Sequence, residues 1–213
     1  MYKIGLIEDD FMTATLIIDR LRRGTDEIKP SVELVPFDNM TLEELVDYIY
    51  ANRFDGLVVD HKLKSSNPDI DFEGTDIALS MENLIHFYPL FILTSHPNDA
   101  ESERYTDVNI VYEKGNYIAD TTGLIVEHIN KKILTQIEHF KNRLADAESE
   151  LETLRNKANK TDEEKDRFIE LDHLIETSLC GRHVMPKNLK NQSEDIQELL
   201  GLARKIYKMS EEE

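Results

Sequence analysis

Two apolar runs end in acids: Lys3-Ile4-Gly5-Leu6-Ile7 leads into Glu8-Asp9-Asp10, and Gly56-Leu57-Val58-Val59 leads into Asp60. Carboxylates gathered in this way are hard oxygen donors, the set that magnesium takes while keeping open positions for a phosphoryl oxygen. Two further runs end in groups of complementary chemistry. Leu90-Phe91-Ile92-Leu93 stops at Thr94-Ser95, and Val108-Asn109-Ile110-Val111-Tyr112 stops at Glu113-Lys114. Acids, a hydroxyl and a lysine together form a phosphoryl-transfer set. Asp60 can receive the group, while Mg2+, the Lys114 ammonium and the Thr94 hydroxyl can neutralise its equatorial oxygens. Each residue also has a plainer reading on its own: strand-end acids facing water, Thr94 and Ser95 as caps, Lys114 as an exposed lysine. The coincidence of four strand ends is what favours chemistry.

The elements that must position these groups follow from hydrophobic pattern. Runs 3–7, 32–36, 56–60, 90–94 and 108–112 read as strands, and helical patterns fall near 11–23, 41–52, 74–86, 98–105 and from 120 onward. Alternation of this kind predicts an α/β domain with a parallel sheet, and near-continuous apolar strands predict helices on both of its faces. The fold expected is a doubly wound five-stranded parallel sheet. In such sheets the loops at the carboxyl ends of the strands build the ligand crevice, which is where Glu8, Asp9, Asp60, Thr94 and Lys114 fall. Thr41-Leu42-Glu43-Glu44 has capping-box spacing and predicts a helix start.

Beyond Ile118 the strand signal ends. Apolar or small residues recur at Ile133, Ile137, Phe140, Leu144, Ala147, Leu151, Leu154 and Ala158, a heptad seam over 133–158. Thr161-Asp162-Glu163-Glu164 repeats the capping-box spacing and opens a second helix bearing Phe168, Leu171, Leu174, Ile175 and Leu179. An all-α helical hairpin or coiled-coil region is expected, with a last helix starting at Ser193. The division expected is 1–120 for the sheet domain and 121–213 for the helical domain, joined rigidly by the first long helix. The seam serves packing within the chain and a possible homodimer equally well.

The 213 residues carry a formal charge of −18. Through Asp120 there are 24 acids against 10 bases, which leaves 19 against 15 for the rest. The first part repels nucleic acid. The basic set Arg182, His183, Lys187 and Lys190 reads as a solvated face rather than a nucleic-acid site. Cys180, the single cysteine, has no partner for an intramolecular disulfide and reads as a small buried hydrophobe, which suits a reducing, cytoplasmic setting. No apolar run approaches membrane-spanning length, and the first residues enter a strand with no secretory segment. His61, His86 and His96 lie near the site but read as packing or surface residues.

Through Ile7-Glu8-Asp9-Asp10, Val58-Val59-Asp60, Leu93-Thr94-Ser95, Glu113-Lys114 and Phe72-Glu73-Gly74, residues 1–120 resemble the receiver domain of two-component response regulators. The resemblance implies the flavodoxin-like strand order 2-1-3-4-5, Asp60 as phosphoacceptor, and Mg2+ held by Glu8, Asp9, Asp60 and the main-chain carbonyl of Lys62. It also implies Thr94 as switch hydroxyl and Lys114 as phosphate-binding lysine. Partners implied are a sensor histidine kinase or phosphotransfer protein and a downstream protein target. Catalysis would extend at most to self-phosphorylation and slow dephosphorylation. Three departures stand beside the matches. The stretch 61–73 is longer than usual, and Val111, with Tyr112 next to it, stands where an aromatic switch is usual. Gly115 stands where the family has proline, commonly after a cis bond; a cis bond before glycine costs about 2.5–4 kcal/mol, so a differently built loop is expected. Alternative functions are a phosphorylation-independent scaffold and a nucleic-acid-binding regulator acting through the C-terminal helices.

Overall fold

The computed structural model describes residues 1–64 and 69–190. Strands β1 (Lys3–Ile7), β2 (Ser31–Leu34), β3 (Gly56–Val59), β4 (Leu90–Thr94) and β5 (Val111–Glu113) form one sheet, ordered β2-β1-β3-β4-β5. Every pairing in it is parallel. Helices α1 (Phe11–Arg23), α2 (Leu42–Ala51), α3 (Gly74–Leu84), α4 (Pro97–Ser102) and α5 (Lys114–Ala119) alternate with the strands. Helices α6 (Leu124–Arg155) and α7 (Asp162–Cys180) follow. The result is the doubly wound parallel sheet that the strand pattern called for, in the flavodoxin-like strand order that the resemblance implied.

Burial explains why the strands carry unbroken apolar runs. Ile7, Leu57, Val59 and Ile92 point to one face with Leu45, Ile49, Ile77 and Met81 of α2 and α3. Ile4, Leu6, Val58, Phe91 and Leu93 point to the other, with Ile17 and Leu21 of α1, Tyr117 of α5 and Ile133 and Ile137 of α6. Both faces are covered, so no strand position is left for alternating polar residues. At roughly 1.5–3 kcal/mol for each large apolar side chain buried, these two layers supply the main drive to fold.

Two helix starts follow the sequence signals closely. Thr41 caps α2 by accepting from the Glu44 amide while the Glu44 carboxylate accepts from the Thr41 amide, and Thr161 and Glu164 do the same for α7. Corrections fall around β5. The run 108–112 was expected to be one strand, but Val108–Ile110 is a 3-10 turn and the strand begins at Val111. Asp107 accounts for the turn: its carboxylate accepts from the Asn109 amide at 2.9 Å, a local bond that competes with sheet pairing. Helix α4 also ends at Ser102 rather than 105, and the helix expected from 120 is preceded by α5. Asp120 separates the two by taking the amides of Thr122, Gly123, Ile125 and Val126 on its carboxylate.

The chain divides into two compact units, Met1–Leu144 and Ala145–Glu213. The first extends past residue 120 because Val126, Ile129, Ile133, Leu134 and Ile137 are buried in the sheet's own core. Gly56 on β3 makes room for this, since a Cβ there would lie 3.1 Å from Ile137. Ile133 and Ile137, the front of the heptad seam, are thus covered within the chain. In the second unit Ala147, Leu151 and Leu171 form a separate small core with Leu154, Phe168, Leu174 and Ile175 around it. Arg167 of α7 holds Glu150 of α6 through two hydrogen bonds, at 2.8 and 2.7 Å. Cys180, expected inside, is exposed at the end of α7. Lys187 pairs with Glu170, and Lys190 with Asp172 and Glu176, so this basic set is partly neutralised by α7. The helix expected from Ser193 and the loop residues 65–68 lie outside the described residues. Among the described residues, no helix is long and apolar enough to cross a membrane.

Candidate metal centre

The register of β1 and β3 brings the acids together. Ile7 pairs with Val59, and the Asp60 amide continues the ladder to the Ile7 carbonyl at 2.8 Å. The next residues on each strand, Glu8 and Asp60, therefore stand side by side at the carboxyl edge, beside the switch in strand order. Both are buried, while Asp9 is exposed at the mouth. One ligand oxygen from each of Glu8, Asp9 and Asp60 can be chosen so that all lie within 4.8 Å of one another.

Lys114 completes the cluster. Its Nζ donates to Glu8 Oε2 at 2.8 Å and to Asp60 Oδ2 at 2.6 Å, and its side chain is only 8% exposed. The lysine reaches the acids because β5 ends at Glu113 and α5 begins at Lys114 itself, which turns the chain over the sheet edge. No cis peptide occurs among the described residues, so Gly115 follows Lys114 in a trans-linked helical turn. Tyr117, wholly buried, anchors this short helix by donating to Asn130 Oδ1 at 2.8 Å.

Burial dominates the electrostatics. It pushes the Glu8 carboxyl up to about 7, against the Lys114 hydrogen bond, which lowers it, and with the Asp60 charge, which adds to the rise. Burial also acts to lower the Lys114 ammonium, but Asp60 and Glu8 together outweigh it and hold the lysine above its usual value. A positive charge is thus the favoured occupant between two buried carboxyls. Two carboxylates inside and a third at the mouth are an all-oxygen donor set, which fits a hard divalent cation with water on its open side.

Supporting residues fix the loop that follows Asp60. Asp60 Oδ1 accepts from the His61 amide at 2.7 Å. Glu73 Oε2 accepts from the amides of Leu63 and Lys64, at 2.7 and 3.1 Å, and so ties this loop to the start of α3. Gly74 is demanded by contact: its amide donates to the His61 carbonyl, and a Cβ would lie 2.0 Å from the Asp60 carbonyl oxygen. Leu63, Ile70 and Phe72 are buried in the core, so the long stretch after Asp60 is held at both ends. The Lys62 side chain pairs with Asp99 of α4 at 3.3 Å, which links a second loop to the site's rim.

The structure therefore joins Glu8, Asp9, Asp60 and Lys114. Thr94 sits fully buried at the end of β4, where its Oγ1 accepts from the His96 amide at 3.1 Å and closes a local turn ahead of α4. Asp10 serves α1 as its N-cap, accepting from the Thr13 amide at 2.6 Å, which holds its carboxyl below the usual range. His61 is a packing residue, 1% exposed with Nδ1 3.5 Å from Thr75 Oγ1. Burial and the Lys62 charge hold its imidazole below the usual value. The role of Glu73 was not foreseen from sequence; its position before Gly74 at a helix start was the available signal.

Comparison with known proteins adds nothing to this geometry: no protein-family model matches the chain, and no curated protein is significantly similar to it.

Proposed function

We propose that the sheet unit accepts a phosphoryl group on Asp60, as a response-regulator receiver does, and that this switches a helical module that engages a downstream protein. The donor is a phosphohistidine of a sensor kinase or phosphotransfer protein. The observation that carries the reading is the buried aspartate at the end of the central strand, flanked by Glu8 and Asp9 and bonded to Lys114.

A bound Mg2+ would supply charge neutralisation for the phosphoryl oxygens, with Glu8, Asp9 and Asp60 as its side-chain ligands and the Lys62 carbonyl as a further donor. Asp60 contributes the nucleophilic oxygen. Its bond to phosphorus forms as the donor's bond breaks, and the leaving group departs with the electron pair. The His61 amide steadies one Asp60 oxygen. Lys114 is already within hydrogen-bond distance of the other and can follow the charge onto the phosphoryl group. Thr94 would leave its bond to the His96 amide to reach that group, which moves the loop after β4 and provides the switch. Exposed Phe11, Met12 and Leu16 on α1, directly after the acidic cluster, offer a partner helix an apolar landing beside Asp60.

The test is intact-mass spectrometry of the full chain after incubation with acetyl phosphate and Mg2+. One phosphoryl adduct is expected in the wild type and none in Asp60→Asn. Absence of an adduct on folded wild type, or an equal adduct on the variant, refutes the assignment.

A further inference from the structure

A groove of about 850 Å3 opens at the outer edge of β5, between α3 and α6, wholly within the Met1–Leu144 unit. It is separate from the acidic cluster, since it is lined by the first residues of β4, Leu90 and Phe91, whereas the cluster adjoins the strands' carboxyl ends. Its size is that of small-molecule sites, and its floor is apolar and aromatic, as such sites are. Phe91 and Tyr112 stand side by side there with ring centroids 6.1 Å apart.

Two further observations say what the groove suits. The first is its charge. On a chain of −18, this wall of α6 presents Lys131, Lys132 and the exposed His128 and His139. Lys131 pairs with no acid among the described residues. Lys132 lies over the neutral Tyr112, 5.1 Å from the ring centroid, and donates to its hydroxyl at 3.1 Å. The lining acids are turned to local partners instead. Glu82 takes His86 Nδ1 and the Phe87 amide, and Asp107 takes the Asn109 amide and side chain. The formal charges of the lining balance, but both ammonium groups stand together on the α6 wall while the two carboxylates lie away from that helix, Glu82 on α3 and Asp107 before β5, so the α6 wall itself is positive.

The second observation is Phe87. It is 55% exposed with φ +66°, a left-handed conformation that a bulky side chain rarely adopts. Glu82 holds this turn through the Phe87 amide, and Arg143 holds it by donating to the His86 carbonyl at 2.9 Å with its guanidinium 5.5 Å from the Phe87 ring. Strained residues fixed from two sides are characteristic of ligand clamps. Here the strain places an aromatic ring at the groove's lip.

We propose that this groove binds a small amphipathic anion, a flat aromatic system bearing a carboxylate, sulfonate or phosphate, with its rings against Phe87, Phe91 and Tyr112 and its anionic group against Lys131 and Lys132. Aromatic surface and ammonium groups then each meet their complement. The claim is independent of phosphoryl acceptance at Asp60.

The test titrates the full chain with 8-anilinonaphthalene-1-sulfonate and with its uncharged parent, N-phenyl-1-naphthylamine, following fluorescence. One saturable site for the sulfonate is expected in the wild type. Reversing both charges, Lys131→Glu with Lys132→Glu, should weaken the sulfonate at least tenfold and the neutral amine less than twofold. Thr135→Trp, on the exposed wall of α6, should fill the groove and weaken both at least tenfold. Absence of saturable binding, unchanged binding in Thr135→Trp, or equal effects of charge reversal on both probes overturns the proposal. Should the tryptophan variant fail to fold, proton NMR of the wild type decides: the ring signals of His128 and His139 must shift with the sulfonate, and those of His173 and His183 must not.

Discussion

Replacing Glu8 by glutamine changes the charge of the acidic cluster with almost no change of shape, and its effect on stability has a definite sign. Burial raises the folded-state pKa from 4.5 to about 7. Between those values the folded protein holds a proton that the unfolded chain has released. The stabilisation from this carboxyl is therefore complete below about pH 4.5, declines as pH rises, and is lost above about 7. At 1.36 kcal/mol per unit the shift sets a ceiling of about 3 kcal/mol, and solvent screening at the mouth reduces this to roughly 2 kcal/mol. Glutamine carries no charge at any of these pH values and keeps an oxygen for Lys114. In EDTA, Glu8→Gln should therefore gain about 2 kcal/mol relative to wild type between pH 5 and pH 8.

Urea denaturation of both proteins at pH 5 and pH 8 measures that difference, and magnesium works against it. At a free ion concentration ten times its dissociation constant the wild type gains about 1.4 kcal/mol by mass action. The variant, with one anionic donor removed, should gain much less at the same concentration. Equal pH slopes in the two proteins would show that Glu8 does not titrate high in the fold. Equal stabilisation by magnesium would show that Glu8 is not a donor.

Lys114→Met leaves Glu8 and Asp60 buried without their countercharge, a change that typically costs 3–5 kcal/mol. The loss in EDTA should be larger at pH 8 than at pH 5, where Glu8 takes up a proton, and magnesium should recover part of it; urea denaturation under the four conditions checks this. Gly74→Ala drives a Cβ against the Asp60 carbonyl, 2.0 Å away, so the turn must shift. A destabilisation of about 1–3 kcal/mol is expected together with a slower adduct from acetyl phosphate, and a neutral result in both assays would show that the loop yields freely.

What could be read in advance was whatever depends on pattern close in sequence. Leu57, Val58 and Val59 announce a strand buried on both faces, and Thr41 with Glu44 announces a helix start, because each signal is complete within a few residues. Val108-Asn109-Ile110 misled for the complementary reason. Its β-branched composition favours a strand, yet one carboxylate at Asp107 suffices to wind it into a turn. The short helix Lys114–Ala119 has Gly115 and Asn116 near its start and little intrinsic preference to form. It exists because Tyr117 is buried against α6 and bonded to Asn130, a partner not visible from the local sequence. In the site, residue types and strand ends identified Glu8, Asp9, Asp60 and Lys114. The hydroxyl of Thr94 could not be placed in advance, since a buried threonine at a strand end serves the next loop's amides as readily as a neighbouring acid.

The resting site is balanced by Lys114, which bears on what an incoming cation can do. Two buried carboxyls in adjacent positions would repel if both were ionised, and the fold relieves this in two ways: one ammonium shared between them, and a Glu8 proton held near neutral pH. A divalent ion replaces neither without cost, because it must displace the proton and share Asp60 with the lysine. The contacts that let the site fold without an ion would therefore moderate its affinity for one. On the proposed reading, a phosphoryl group on Asp60 would shift that balance by adding negative charge where Lys114 already points. The lysine and the ion would then act together, and the expected electrostatic consequence of that proposal is tighter metal binding after phosphorylation.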